Sequence, residues 1–433
     1  DPRRNECISK LALPIQKLMA GNDSYSCYLI DDAAKRGQLN ILMKPETIRT
    51  RCMSLLNAGR KNSLLYFKVN EKNIARCINV ISEVTKRNYP NLKIPYHSRW
   101  RNLEQFSSNF LEFSAKGEAK NFVHCRAALD FVFVSVLIDS GAGNNWKYVD
   151  NVSGQVYSRS EGLALSSLRM FESGMFSADP DNNWRVDSAV LQTLDERVFL
   201  DGIQGTKENH LDGFEDRLKI LCNLGDVLTE ISNGQGMRPS DLVLELVEQN
   251  SIDLTKVLEA LLRVLAPIWP LGMKISGQHY GDVGRHSLIV TSDGTTGLVP
   301  IHKLSQWLVY SLIEPLESTG IDICGVKNLT GLGEYRNGGL LIDTGVLELI
   351  EPQSRQIAAE PTSELVVEWR SLTIAILDEL VPHVARTLGI RENEFCLPML
   401  LQGGSWSAGR FLAYRRSKDG EPPINLRNTG AVF

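Results

Sequence analysis

Apolar residues recur at three- and four-residue steps through nine long segments of this chain, a period that commits most of it to amphipathic or buried helix. The segments are KPETIRTRCMSLLNAGR, EKNIARCINVISEVTKR, KNFVHCRAALDFVFVSVLIDSG, SEGLALSSLRMFESG, DRLKILCNLGDVLTEIS, RPSDLVLELVEQN, DLTKVLEALLRVLAPI, HKLSQWLVYSLIEPLES and TSELVVEWRSLTIAILDELVPHVARTLG. Their ends agree. Pro45, Ser160 and Asp253 stand where helices start, and Gly59, Gly141, Gly174, Gly320 and Gly389 follow the last periodic residue as C-terminal stops. Strand signals are few: SLLYFKV, the pair MKISGQHY and RHSLIV about a Gly-rich turn, and GGLLID. No internal repeat, low-complexity stretch or long Pro/Gly/Ser linker divides the chain. The expected fold class is therefore mainly α: a single large helical domain over residues 41–433 with a few short strands, preceded by a helical extension over 1–40. The loops near 140–158 and 176–210 read as polar surface excursions or lids.

At 433 residues and 43% hydrophobic content, such a chain buries an extensive core without staples. Its 47 basic and 51 acidic residues give a formal charge of −4, without the positive excess that holds a protein on polyphosphate, so nucleic acid is not an expected partner. No apolar run approaches the roughly 20 residues of a membrane helix, so no membrane partner is expected either. The eight cysteines, Cys7, Cys27, Cys52, Cys77, Cys125, Cys222, Cys324 and Cys396, are scattered, with no CxxC pair. Reduced thiols packed as small hydrophobes suit a cytoplasmic protein. The spacings of His279, His286 and His302 match no zinc pattern, and no GxSxG elbow is present, so neither metal nor cofactor is expected.

Four constellations carry chemistry. LTGLGEYRNGGLLIDTGVL, residues 329–347, holds five glycines among charged groups, and Glu334, Arg336, Asn337 and Asp343 are candidates to converge there. A Gly-rich connector with a structural Glu–Arg pair is the alternative. On VPIHKLSQWLVYSLIEPLE, His302, Gln306, Tyr310 and Glu314 form one polar stripe at i+4 steps, facing either solvent or a ligand cavity. In IPYHSRWRNLE, Arg99 and Arg101 follow His97 and suit an anionic ligand or a surface ion pair. In ALDFVFVSVLIDSGAG, Asp130 is a carboxylate in a greasy helix, functional or satisfied by packing, and Asp139 precedes a glycine. Arg285 in GDVGRH, and Trp406 and Arg410 in LQGGSWSAGR, lie on Gly-rich polar loops suited to a phosphate.

The segments IPYHSRWR, SVLIDSGAG, SEGLALSSLRMF, HKLSQWLVYSLIEPLE, GLTGLGEYRNGGLLIDTGVL, SELVVEWRSLTIAILD and GGSWSAGR, in that order and with the closing GAVF, resemble the uracil-catabolism protein 4 family. The resemblance spans roughly residues 40–433. One departure is Gly284, where the family pattern leads us to expect an aromatic residue and with it a stacking role for that loop. A second, more distant similarity joins LTGLGEYRNGGLLIDTGVL and ALDFVFV to the queuosine salvage glycosylases. Those are helical enzymes related in fold to DNA glycosylases of the helix-hairpin-helix kind, and they cleave N-glycosidic bonds. It would carry over Asp130, Glu334, Tyr335 and Arg336, although the glutamate stands for an aspartate and Phe131–Phe133 lack the expected asparagine.

These resemblances imply uracil catabolism, with a small pyrimidine-derived molecule as partner and a homo-oligomer left open. The expected reaction is hydrolysis of the ribosyl C–N bond of a ribosylurea or its phosphate, giving urea and ribose or ribose phosphate. Breaking that bond builds positive charge on the sugar, which a carboxylate offsets. Glu334 is the first choice for that role, Asp130 or Asp343 the second carboxylate, Tyr335 and Arg336 the positioning groups, and Arg99 or Arg101 the phosphate holder. Hydrolysis of a ureido or amide bond in a ring-opened fragment is the enzymatic alternative, and a non-catalytic binding or scaffold subunit is the other.

Overall fold

Eight of the ten longer helices in the computed structural model follow the periodic pattern, while α8 and α10 form where a strand and a Gly-rich polar loop are expected: α1 (Pro45–Arg60), α2 (Ile74–Asn88), α3 (Phe122–Leu137), α4 (Arg159–Glu172), α5 (Phe214–Ile231), α6 (Leu254–Val264), α7 (Lys303–Ser318), α8 (Tyr335–Asp343), α9 (Glu364–Leu388) and α10 (Trp406–Arg416). The structure describes residues 37–115, 122–143, 145–355 and 358–427. Most of the expected 1–40 extension, with Cys7 and Cys27, and the closing GAVF lie outside the described residues. Those described form a mainly α single domain, and no helix among them is long and apolar enough to cross a membrane.

The start signals hold at two of three sites. Pro45 is the first residue of α1, where its missing N–H costs nothing. Asp253 caps α6, its carboxylate accepting the Thr255 N–H at 2.9 Å. The third helix, α4, begins at Arg159 rather than after Ser160. Gly174, Gly320 and Gly389 take φ of 80°, 80° and 73° just past helix ends, as stops do. Gly59 instead lies inside the last turn of α1, where an added Cβ would sit 2.5 Å from the Val69 side chain. RPSDLVLELVEQN yields only the short helix Asp241–Leu244.

Helix α3 has no polar face to give to solvent and is buried nearly all round, lying along α7. Burying Phe131 and Phe133 stabilises the fold by roughly 1.5–3 kcal/mol each. The first half of α9, Val366–Leu377, is likewise enclosed, by α1, α2 and α8.

The strands among the described residues form five two-stranded pairs. Phe67–Val69, from SLLYFKV, pairs antiparallel with Leu347–Leu349. MKISGQHY closes on itself through Ser276 and Gly277, both at positive φ, and does not pair with RHSLIV. The next pair joins Val283–Arg285 to Leu298–Pro300. GGLLID is not a strand but the body of α8, because Glu334 caps that helix from the preceding position.

Candidate active site

The N-terminal ends of α4, α7 and α8 converge on a cavity of about 630 Å³. Segments 97–105, 139–143, 401–407 and 420–426 complete its walls. Helix N-termini carry partial positive charge, so carboxylates near them are favoured.

Glu334 is the N-cap of α8. Its Oε2 accepts the Arg336 N–H at 2.7 Å and its Oε1 the Asn337 N–H at 2.5 Å, leaving a lone pair on each oxygen for other partners. Burial pushes its carboxyl up, and the two backbone donors and Lys303 pull it part of the way back. Asp139 stands just past the end of α3. The Arg99 guanidinium lies 2.6 Å from its Oδ2, and Ser160 Oγ donates to its Oδ1 at 3.1 Å.

Lys303 opens α7. Its backbone N–H donates to Asp282 Oδ2 at 3.0 Å. Arg370 grips Asp282 through two bonds of 2.8 and 2.7 Å and reaches the Gly333 carbonyl with Nε at 3.0 Å. This ion pair ties the root of Lys303 to the residue before Glu334. His302, just before, is held in the left-handed region at φ 50°, a conformation that costs roughly 1–2 kcal/mol outside glycine. Its own contacts offset that strain: Nε2 to the Leu42 carbonyl at 3.0 Å and its N–H to the Asp282 carbonyl at 3.1 Å. The Lys303 ammonium makes no ion pair among the described residues. Burial drives it toward the neutral amine, against the opposing pull of Glu334 and Asp139.

His97 also lines the cavity, stacked beside Trp307 with ring centroids 6.1 Å apart. Burial pushes it down to about 4, so the ring is neutral near neutral pH. Its Nδ1 lies 2.9 Å from Gln402 Oε1, so with the amide so placed Nδ1 donates and Nε2 is the acceptor. Arg336 lies over the Tyr335 ring at 4.9 Å and donates to the Gly420 carbonyl at 2.7 Å, fastening the C-terminal wall.

Of the residues picked out from sequence, the structure brings Glu334, Tyr335, Arg336, His97, Arg101, Asp139 and Trp406 to the cavity wall. Others stand behind it. Arg99 backs Asp139, Arg410 holds the wall residue Glu161 at 2.7 Å, and Asn337 accepts from Ser405 Oγ at 2.8 Å. The α7 stripe is met by protein rather than by a cavity. His302 bonds to Leu42, Gln306 accepts the Thr330 N–H at 3.2 Å, Tyr310 donates to the Thr330 carbonyl at 2.9 Å, and Glu314 takes Ser98 and Arg101.

Three candidates lie away from the cavity. Asp130 is wholly buried, 2.6 Å from Arg238 and accepting the Val186 and Ser240 N–H groups at 3.0 Å each, so it pins two loops to α3. Asp343 closes α8 and pairs with Arg416 at 3.0 Å. Arg285 is exposed on its strand. Beside it, a Cβ on Gly284 would lie 2.4 Å from the Val367 side chain, which leaves no room there for an aromatic ring.

Sequence reading missed Lys303, Trp307, Arg159 and Gln402, all in the wall. Lys303 and Trp307 are themselves an i+4 pair, one residue over from the stripe that was singled out. That one-residue offset is about 100° of helix rotation, and periodicity cannot say which of two adjoining faces fronts a ligand.

Residues 41–433 match the family described as Protein of unknown function (DUF1688). Protein urg3 of Schizosaccharomyces pombe is 35% identical over 405 residues, covering 90% of this chain and 98% of that protein. Uracil catabolism protein 4 of Lachancea kluyveri is 34% identical over 418 residues, covering 87% and 93% respectively.

Proposed function

The chain belongs to the DUF1688 family, and from its likeness to a uracil catabolism protein we propose that it is an enzyme of uracil catabolism. The reaction we assign is hydrolysis of the C–N bond of a ribosylurea or its phosphate, releasing urea and ribose or ribose phosphate. The observation that carries this reading is two carboxylates, Glu334 and Asp139, on the wall of one cavity large enough for a sugar. As the C–N bond lengthens, positive charge grows on the anomeric carbon, and a fixed carboxylate beside it stabilises that charge without reorganising. Glu334, drawn toward its protonated form by burial, is suited to give a proton to the departing urea nitrogen. Asp139, held by Arg99, is suited to lie beside the sugar. Arg159 supplies positive charge for a phosphate, while Trp307 and Trp406 offer apolar faces to a sugar.

Purified protein is incubated with ribosylurea and, separately, with its phosphate, and urea is measured. Urea together with free ribose or ribose phosphate supports the assignment. Ammonia and carbon dioxide in their place would point to cleavage of the ureido bond, and binding without turnover to a scaffold.

A further inference from the structure

Among the groups on the cavity wall, the cations other than Lys303 have partners. Arg101 is taken by Glu104 and Glu314, Arg159 donates to the Asp419 carbonyl at 2.6 Å, and Arg336 donates to Gly420. Lys303 has a fixed root and, among the described residues, no acceptor for its ammonium. That root is expensive to build. It takes a left-handed histidine, a backbone bond to Asp282 and a bidentate arginine behind that aspartate. Such strain is retained where geometry matters more than stability.

An anchor for phosphate is the obvious use of a free ammonium, but the surroundings oppose it. Glu334 and Asp139 both act electrostatically on Lys303, so an anion placed on this amine would face two carboxylates. The same surroundings suit an amine that gives up its proton and then attacks carbon, because carboxylates on the same cavity wall can take and return protons.

We infer that Lys303 is a catalytic nucleophile whose Nζ attacks the anomeric carbon of the ribosylated urea and carries the sugar as an imine. This rests on the C–N hydrolysis proposed above. In the first step the Nζ–C1 bond forms and the bond from C1 to the urea nitrogen breaks. That nitrogen takes a proton from Glu334, and the proton shed by the lysine restores Glu334. The resulting glycosylamine opens when the ring oxygen leaves C1 and takes the proton of Glu334, giving an iminium between Nζ and C1, and Glu334 recovers that proton from the water that follows. Water then adds to C1 and expels the amine, so ribosylurea and water become ribose and urea with no further reactant. By reversal, the open-chain aldehyde of ribose or ribose 5-phosphate condenses with Lys303 to the same iminium.

The test is reductive trapping on the full chain. With borohydride present, ribosylurea, ribose and ribose 5-phosphate should each inactivate the protein, and peptide mapping should find the reduced sugar on Lys303. Lys303→Ala and Lys303→Arg should each lose turnover on the order of 10³-fold or more while keeping the wild-type circular dichroism spectrum. The arginine variant is decisive for charge, since an electrostatic role would be largely rescued by it and a nucleophile is not. Normal urea release by wild type with no label on Lys303, or label confined to exposed lysines such as Lys256, overturns the imine and leaves the hydrolysis standing. So does retained activity in either variant. Absence of urea from either substrate overturns the hydrolysis itself, and the imine with it.

Discussion

At the scale of single residues, Glu334 has two jobs, capping α8 and facing the cavity, and substitution separates them. Glu334→Gln keeps an acceptor oxygen for the cap, so the fold should lose only about 1 kcal/mol while urea release falls below detection. Parallel melting and turnover measurements check this. Asp130 should behave in the opposite way. Its pair with Arg238 is buried, and breaking such a pair costs about 3–5 kcal/mol, so Asp130→Ala should melt far earlier yet turn over normally per folded molecule. A large loss of kcat at full stability would return Asp130 to the mechanism. His97 sets a pH dependence. Its folded value of about 4 lies below the ordinary 6.5, so between those limits the unfolded chain binds more protons and stability must fall as the solution is acidified. Comparing Tm from pH 6.5 to 4 for wild type and His97→Gln should show a shallower slope in the variant. A buried aspartate in an apolar run was visible from sequence as an anomaly, but whether it faced substrate or a distant arginine was not, because Arg238 lies 108 residues away.

At the scale of elements, α8 was the least legible. GGLLID reads as strand by composition, and its glycines read as turns. In the structure they are points of close approach: a Cβ on Gly338 would lie 2.6 Å from the Trp369 indole nitrogen of α9. Across the other face, a Cβ on Gly409 of α10 would lie 2.0 Å from the Arg336 carbonyl. Gly338→Ala should therefore destabilise by about 1–3 kcal/mol, despite the better helix propensity of alanine, as read from the denaturation midpoint. A stabilised variant would mean that the helices separate freely. Long segments such as α3, α7 and α9 were plain from their period, since an apolar stripe or an all-apolar segment has few other ways to leave water. The direction each helix turns its second face is not, and the periodic stripe on α7 lies one residue away from Lys303 and Trp307.

At the scale of the whole molecule, the cavity joins segments from residue 97 to residue 426. A ligand that fills it bridges walls that exist only in the native state. Ribose 5-phosphate at a hundred times its Kd should therefore stabilise the fold by about 2.7 kcal/mol, seen as a rise in Tm that glucose 6-phosphate does not match. No shift at millimolar concentration would count against a sugar site. The helical class, the positions of most long helices, the lack of a membrane-crossing segment among the described residues and the Glu334 region follow from local order: period, caps and residue types that act within a few positions of one another. The presence of Asp139, Glu334 and Lys303 on one cavity wall, and the removal of Asp130 and Asp343 from it, were decided by tertiary structure alone. Each depends on contacts between segments far apart in the chain, and on which side of a helix faces inward, neither of which a linear pattern records.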